Sequence, residues 1–219
     1  MLSCFMPTIA VVNQKGGAGK STIAVHLARW LQRQKKPILV VDADGQKTSS
    51  LWLESLEDEI PFLVLQDPDE LLDQLPRLAE QHEWLVVDGP ATLSETTRAL
   101  LLWADLALIP CQPAGVDLAS ASDTVRLVRQ AKAIRGGLPK SALFLNKAIK
   151  GTKLKDEAFA VLQQVQDVEL LQTIVHQRQV ITDSFGQGAT VFDMPGTPAG
   201  TARRELESLF KQAMEVLNG

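Results

Sequence analysis

The sequence predicts a doubly wound α/β fold, a mostly parallel sheet of about seven to eight strands with helices on both faces. Three observations carry that prediction. Short apolar runs alternate with longer amphipathic segments along the chain. Several runs, such as Ile38-Leu39-Val40-Val41, are apolar throughout, as parallel strands covered on both faces are. Polar and acidic residues cluster just after these runs, at the carboxyl ends where such sheets place their ligands.

The first strand is expected over 8–13, from Ile9-Ala10-Val11-Val12, and the first helix over 20–34, from the pattern Ile23 to Leu31. Further strands are expected over 37–42, 62–66, 84–88, 106–110, 141–145, 170–174 and 190–192. Further helices are expected over 69–81, 94–103, 118–134, 153–164 and 197–217. Their alternation implies right-handed crossovers. Gly136-Gly137-Leu138-Pro139 reads as a turn, not a linker. With 219 residues and 45% apolar content, residues 1–219 are expected to form a single domain around one full core.

Composition narrows the function classes. No apolar run reaches the ~18 residues of a membrane span. Met1 to Met6 lack a basic region and read as an uncoiled leader, not a signal peptide. Two cysteines, Cys4 and Cys111, make no disulfide framework and fit a reducing, cytoplasmic setting. Cys111 reads as buried filler. His26, His82 and His176 lack metal-ligand spacing. A net charge of −4 argues against a general nucleic-acid glove but allows a local basic patch.

The chemistry concentrates in Gln14-Lys15-Gly16-Gly17-Ala18-Gly19-Lys20-Ser21-Thr22, between the first strand and the first helix. Glycines let a backbone curl so that successive N–H groups meet phosphates, and the helix N-terminus adds positive potential. Lys20 would reach the β/γ-phosphates and the Ser21 hydroxyl would hold Mg²⁺. The usual phosphate-loop pattern has glycine where this chain has Gln14, and Lys15 follows as an extra cation. A second ammonium in a positive loop costs free energy unless a polyphosphate meets it.

Two acidic groups end strands. Asp42-Ala43-Asp44-Gly45-Gln46 places two carboxylates two residues apart, on opposite sides if extended, so they can serve different tasks. Trp84-Leu85-Val86-Val87 ends in Asp88-Gly89-Pro90-Ala91, the Walker B arrangement, whose carboxylate meets Mg²⁺ directly or through its waters. Ala142-Leu143-Phe144-Leu145 ends in Asn146-Lys147, where an amide offers both donor and acceptor to an adenine edge.

The loop resembles that of the deviant Walker A ATPases of the ParA/MinD group, Lys-Gly-Gly-x-Gly-Lys-Ser/Thr. The resemblance implies the P-loop NTPase fold, ATP and Mg²⁺ as cofactors, ATP hydrolysis, and a homodimer in the ATP state in which Lys15 contacts the partner subunit's ATP. Gly16, Gly17, Ala18, Gly19 and Thr22 would line the nucleotide with Lys15, Lys20 and Ser21. Asp42 would lie near Mg²⁺ and Lys20, Asp44 would orient the attacking water, and Asn146 would meet the base. This chain has Gly45 where the family's Asp-x-Asp-Pro-Gln has proline, and Asp-Gly-Pro-Ala where the family prefers Asp-x-Pro-Pro. The stretches 146–152, 177–180, 184–188 and 191–194 look like the second half of ParF-type partition ATPases, short relatives without a separate DNA-binding domain. That analogy puts Asp193 and Met194 beside the adenine.

Two basic groups stand out. Arg126, Arg129, Lys132 and Arg135 recur every third residue and wind around a helix instead of forming a stripe. Lys147, Lys150, Lys153 and Lys155 form the second group, with Arg178, Arg203 and Arg204 later. By the resemblance, the ATP dimer binds nonspecific DNA through such residues, with Arg178, Arg203 and Arg204 the candidates, and DNA binding falls to the ATPase body because little chain precedes the loop. The expected protein is cytoplasmic and nucleoid-associated, does not bind membrane, and answers to a small adaptor or centromere-binding protein, with a plasmid or a body such as a carboxysome as cargo. Two alternatives are a MinD-like membrane regulator, which needs a basic, apolar tail, and a metabolic P-loop enzyme such as a dethiobiotin synthetase, which needs no Lys15.

Overall fold

In the computed structural model, which describes residues 7–92 and 94–219, the apolar runs become β1 (Thr8–Val11), β2 (Ile38–Asp42), β3 (Phe62–Val64), β4 (Trp84–Asp88), β5 (Leu106–Cys111), β6 (Lys140–Leu145) and β7 (Glu169–Leu170). They form one seven-stranded sheet in the order β3-β2-β4-β1-β5-β6-β7, and every pairing is parallel. The helices are α1 (Lys20–Arg33), α2 (Thr48–Glu54), α3 (Pro68–Gln81), α4 (Glu95–Trp103), α5 (Gly115–Ile134), α6 (Lys153–Leu162), α7 (Gln179–Gly186) and α8 (Thr197–Asn218). The leader over Met1 to Met6, with Cys4, falls outside the described residues.

Alternation along each strand builds two cores. Ile9, Val11, Val40, Val86, Leu108 and Phe144 share one cluster with α1 and α8 residues such as Leu27 and Phe210. Ala10, Val12, Val41, Val87, Ile109 and Leu145 share the other with Leu71, Leu100 and Val128 of α3, α4 and α5. Each large apolar side chain taken out of water contributes about 1.5–3 kcal/mol. Both faces being covered is why these strands read as unbroken apolar runs. Cys111 belongs to the second core, and burial pushes its thiol up to about 12, so it is filler and not a nucleophile.

The structure differs from the sequence expectation at four places. Residues 190–192 form no strand; they enter a buried turn in which Asp193 Oδ2 accepts from the Thr190 backbone N–H at 3.0 Å and the Thr190 hydroxyl at 2.7 Å. The apolar side chains there are buried as a strand's would be, but the backbone bonds go to a side chain. The seventh strand is two residues long and sits one residue earlier than expected. α2 and α7 were not expected. The N-cap residues of both, Lys47 and Arg178, supply no side-chain cap, so local capping signals are missing. α2 is anchored from a distance instead: Asp42 Oδ2 accepts from Ser50 N at 2.8 Å, and the buried Trp52 donates to Ala189 O at 3.0 Å.

His26 on α1 ties these parts together. Its Nδ1 lies 2.7 Å from Thr22 O and its Nε2 accepts from Val191 N at 3.2 Å. The proton therefore sits on Nδ1 and the ring is neutral. Burial lowers its pKa to about 4, against opposing effects of the Thr22 carbonyl and Asp193. The fold thus binds a second proton, on Nε2, more weakly than the unfolded chain, and the cost of His26 grows as pH falls from 6.5 towards 4. Urea unfolding of wild type and His26→Gln should show the variant gaining about 1.4 kcal/mol per pH unit relative to wild type across that window. Parallel pH profiles would contradict it.

Candidate nucleotide site

The loop after β1 is held open by residues from distant strands. Asn13 Nδ2 donates to Pro110 O at 2.6 Å while its Oδ1 accepts from Lys15 N at 3.1 Å. Gln112 Nε2 and Lys147 Nζ each donate to Gly17 O at 2.7 Å, and Asn146 Nδ2 donates to Ala18 O at 2.7 Å. Gly19 adopts φ +96°, and a Cβ there would stand 2.3 Å from Asn146 Nδ2, so only glycine fits. α1 then begins with no side-chain cap and no acid in its first turn, leaving its first N–H groups to an anion.

Lys20 is 5% exposed and donates to Lys15 O at 3.4 Å. Burial lowers its pKa, while Asp88 and Asp44 act to raise it. Asp42 and Asp88 lie directly opposite one another on β2 and β4. Both are fully buried, but their situations differ. Asp42 spends both oxygens on backbone: Oδ1 accepts from Asp44 N at 3.0 Å and Oδ2 from Ser50 N. These two bonds let Asp42 shape the loop into α2 while its carboxylate stays beside that of Asp88.

Among the described residues neither Asp88 oxygen nor the Ser49 hydroxyl makes a hydrogen bond of normal geometry, although the Ser21 and Ser49 hydroxyls lie near enough to act on the carboxylate. Burial pushes the Asp88 carboxyl up to about 7; Ser21 opposes the rise, Asp42 adds to it, and Ser49 and Lys20 oppose it. Two orphaned carboxylate oxygens beside Ser21 and Lys20 are an oxygen donor set that fits a partly hydrated Mg²⁺. Asp44, 9% exposed, lies close enough to act on Lys20, its Oδ1 accepting from Gln46 N at 2.9 Å and its carbonyl accepting from Gln66 at 2.8 Å. The Gln66 contact steadies a loop that Gly45 leaves without the stiffness of proline.

A cavity of about 450 Å³ opens beside the loop, lined among others by Thr22, Asn146, Lys147, Gln177, Arg178 and Phe185. Its place next to the start of α1 suits a nucleoside. Asn146 lines it while its amide nitrogen also braces the loop. Asp193 and Met194 are not brought to this cavity. Asp193 instead pairs with the buried Arg29 at 2.8 Å. Burial acts to raise its pKa, but hydrogen bonds from Arg29 and Thr190 hold it below the usual carboxylate range. A buried guanidinium requires counter-ions, and Asp193 shares that task with Asp58, 3.1 Å from Arg29.

The three candidate DNA arginines differ in how they are engaged within the subunit. Arg178 Nε donates to Glu205 Oε2 at 3.1 Å, and His176 Nδ1 lies 2.9 Å from the same carboxylate's Oε1. Arg203 donates to the carbonyls of Val191 at 3.1 Å and Met194 at 3.0 Å. Arg204 is exposed and touches Thr201 Oγ1 at 3.2 Å. On and just after α5 the basic residues also have partners: Arg126 pairs with Asp123, Arg129 with Asp167, and Arg135 with Asp105. Asn13 and Gln112, which brace the loop, were missed in the sequence because nothing local marks them; Gln112 stands 95 residues from the carbonyl it braces.

The geometry agrees with similarity to known proteins. The chain is 27% identical over 212 residues to "Maintenance of carboxysome distribution protein A" of Halothiobacillus neapolitanus, covering 94% of this chain and 96% of that protein. It is 36% identical over 124 residues to a protein of the same name from Gloeobacter kilaueensis, covering 56% and 57%. An ATP complex of McdA from Cyanothece shares the fold, with a TM-score of 0.77 over 98% of this chain and 97% of that one at 18% identity. Residues 9–191 match the CobQ/CobB/MinD/ParA nucleotide binding domain, and the chain belongs to that family.

Proposed function

We propose that this chain is a ParA-type ATPase that positions cargo: ATP closes a homodimer, the dimer binds DNA without sequence preference, and an adaptor protein stimulates hydrolysis and release. The observation that supports it most is Lys15 beside an otherwise complete site, with Lys20, Asp44 and Asp88 converging on one loop. Near full-length similarity to a carboxysome distribution protein favours a cytoplasmic body over a plasmid as cargo.

In this reading Gly16, Gly17, Ala18, Gly19 and Thr22 cradle the triphosphate, and Lys20 meets its β/γ oxygens. Ser21 and Asp88 hold Mg²⁺, which when bound neutralises charge on the phosphate oxygens. Asp44 accepts a hydrogen bond from the attacking water and orients it towards the γ-phosphorus. Lys15 of the partner subunit adds positive charge opposite the negative charge of the transition state. Asn146 contacts the base from its side of the cavity. DNA contact then rests on exposed basic side chains such as Arg204, since Arg178 and Arg203 would have to leave partners inside the subunit.

A membrane role is less well supported. The apolar face of α8, including Leu206, Leu209, Phe210 and Leu217, is already packed in the core. Its charges balance, Arg203, Arg204 and Lys211 against Glu205, Glu207 and Glu215. A gel shift with unrelated DNA fragments is the test. Retardation is expected with ATP and Mg²⁺ and not with ADP. Retardation independent of nucleotide, or none at all, would overturn the reading.

A further inference from the structure

Lys15 has a partner inside its own subunit. Its ammonium lies 3.9 Å from Asp117 Oδ2, with the lysine side chain 38% and the aspartate side chain 6% exposed. Asp117 lies in the first turn of α5, on a segment that shares no sequence motif with the loop. Its other oxygen, Oδ1, is buried and has no hydrogen-bond partner among the described residues. The helix N-terminus favours a negative charge there. Burial, however, makes an unpaired carboxylate costly, so cations nearby are held to it. A second lysine faces the same group: Lys147 donates to Gly17 O at 2.7 Å, and Asp117 offsets part of the lowering that burial imposes on it.

We propose that Asp117 is a positioning residue for Lys15, an intrasubunit counter-ion that holds the ammonium over its own loop and sets the attraction another subunit's triphosphate must supply to draw it across. The inference rests on the dimer reading above. Lys15 cannot serve two anions at once. Whatever it gains at the partner's phosphates is reduced by what it loses at Asp117. Lys147, fixed on the Gly17 carbonyl, stays behind and keeps Asp117 from being left as an isolated buried charge. The restraint thus favours separate subunits until a triphosphate, with its greater charge, competes for the ammonium.

Two measurements test it, using the full chain. In the first, subunits are titrated in sedimentation runs with ATPγS and Mg²⁺. Asp117→Asn should dimerise at about fivefold lower protein concentration, the size expected for a half-exposed ion pair. Asp117→Glu, which keeps the charge, should stay near wild type. In the second, the Lys15 side-chain nitrogen signal is followed by NMR without nucleotide. It should move in Asp117→Asn and recover in Asp117→Glu. A wild type that dimerises, with Asp117→Asn unchanged or weaker, overturns the restraint alone, as does a Lys15 signal indifferent to Asp117. A wild type that does not dimerise with the analogue overturns the proposed function first, and the role of the restraint with it.

Discussion

Asp88→Asn is expected to make the nucleotide-free protein more stable above pH 7 and, at the same time, to remove ATP turnover. The carboxyl is fully buried and its pKa is pushed up to about 7 by burial, with Asp42 adding to the rise and Ser21, Ser49 and Lys20 opposing it. A raised folded pKa means that the native state holds this proton more tightly than the unfolded chain. The associated stability is fully present below the unfolded value, near 3.8, and is lost as pH rises towards 7. The loss is on the order of 4 kcal/mol, because stability falls by about 1.4 kcal/mol for each pH step between the unfolded and folded values. Asparagine has no such proton to lose, so the variant's advantage over wild type should grow between pH 4 and pH 7 and level off above. His26 runs with the opposite sign over pH 4 to 6.5, so wild type should look flatter with pH than either single variant. Denaturant unfolding at several pH values, alongside phosphate release with Mg²⁺ and ATP, checks both halves. A variant that is no more stable at about pH 8, or one that still hydrolyses ATP at the wild-type rate, would contradict the placing of Asp88 as the orphaned metal-side carboxylate.

Lys15→Ala should leave ATP binding by the single subunit largely intact and abolish both the ATP dimer and turnover, the latter by ~10²–10³-fold, the size expected for losing one transition-state charge. Binding is spared because Lys20, not Lys15, occupies the interior of the loop, at 5% exposure with Asp44 and Asp88 acting on it. Lys15 lies nearer the surface, its side chain 38% exposed and its ammonium paired with Asp117 and not with Lys20's surroundings. Equilibrium binding of a fluorescent ATP analogue, sedimentation with ATPγS and a phosphate-release assay separate the three effects. Wild-type turnover in the variant would remove the ground for an intersubunit role and with it the ParA-type reading. Lost ATP binding would show instead that Lys15 belongs to its own subunit's pocket.

The strand–loop–helix unit at the start of the chain was readable because all its signals are local. Ile9 to Val12, the glycines and Lys20 to Leu31 are contiguous, and period and composition identify them directly. Asp88 was readable for the same reason, ending the apolar run of β4. Asp42 was half readable. Its place at the end of β2 was as expected, but the bonds it accepts from the Asp44 and Ser50 N–H groups were not marked by any local pattern. Thr48 to Glu54 shows why: a Thr-Ser-Ser start favours turns, and the helix exists because a carboxylate from β2 and a pocket for Trp52 receive it.

Local pattern therefore established the parallel sheet, the phosphate loop and the acidic residues at the strand ends, since alternation, glycine placement and strand-end position are properties of neighbouring residues. Long-range packing decided which partner each charged group takes within the subunit. Arg178 and Arg203 were drawn to Glu205 and to carbonyl oxygens, Asp193 to Arg29, and Lys15 to Asp117. A buried or half-buried charge takes the best partner that the fold brings within reach, and that partner can lie anywhere along the chain.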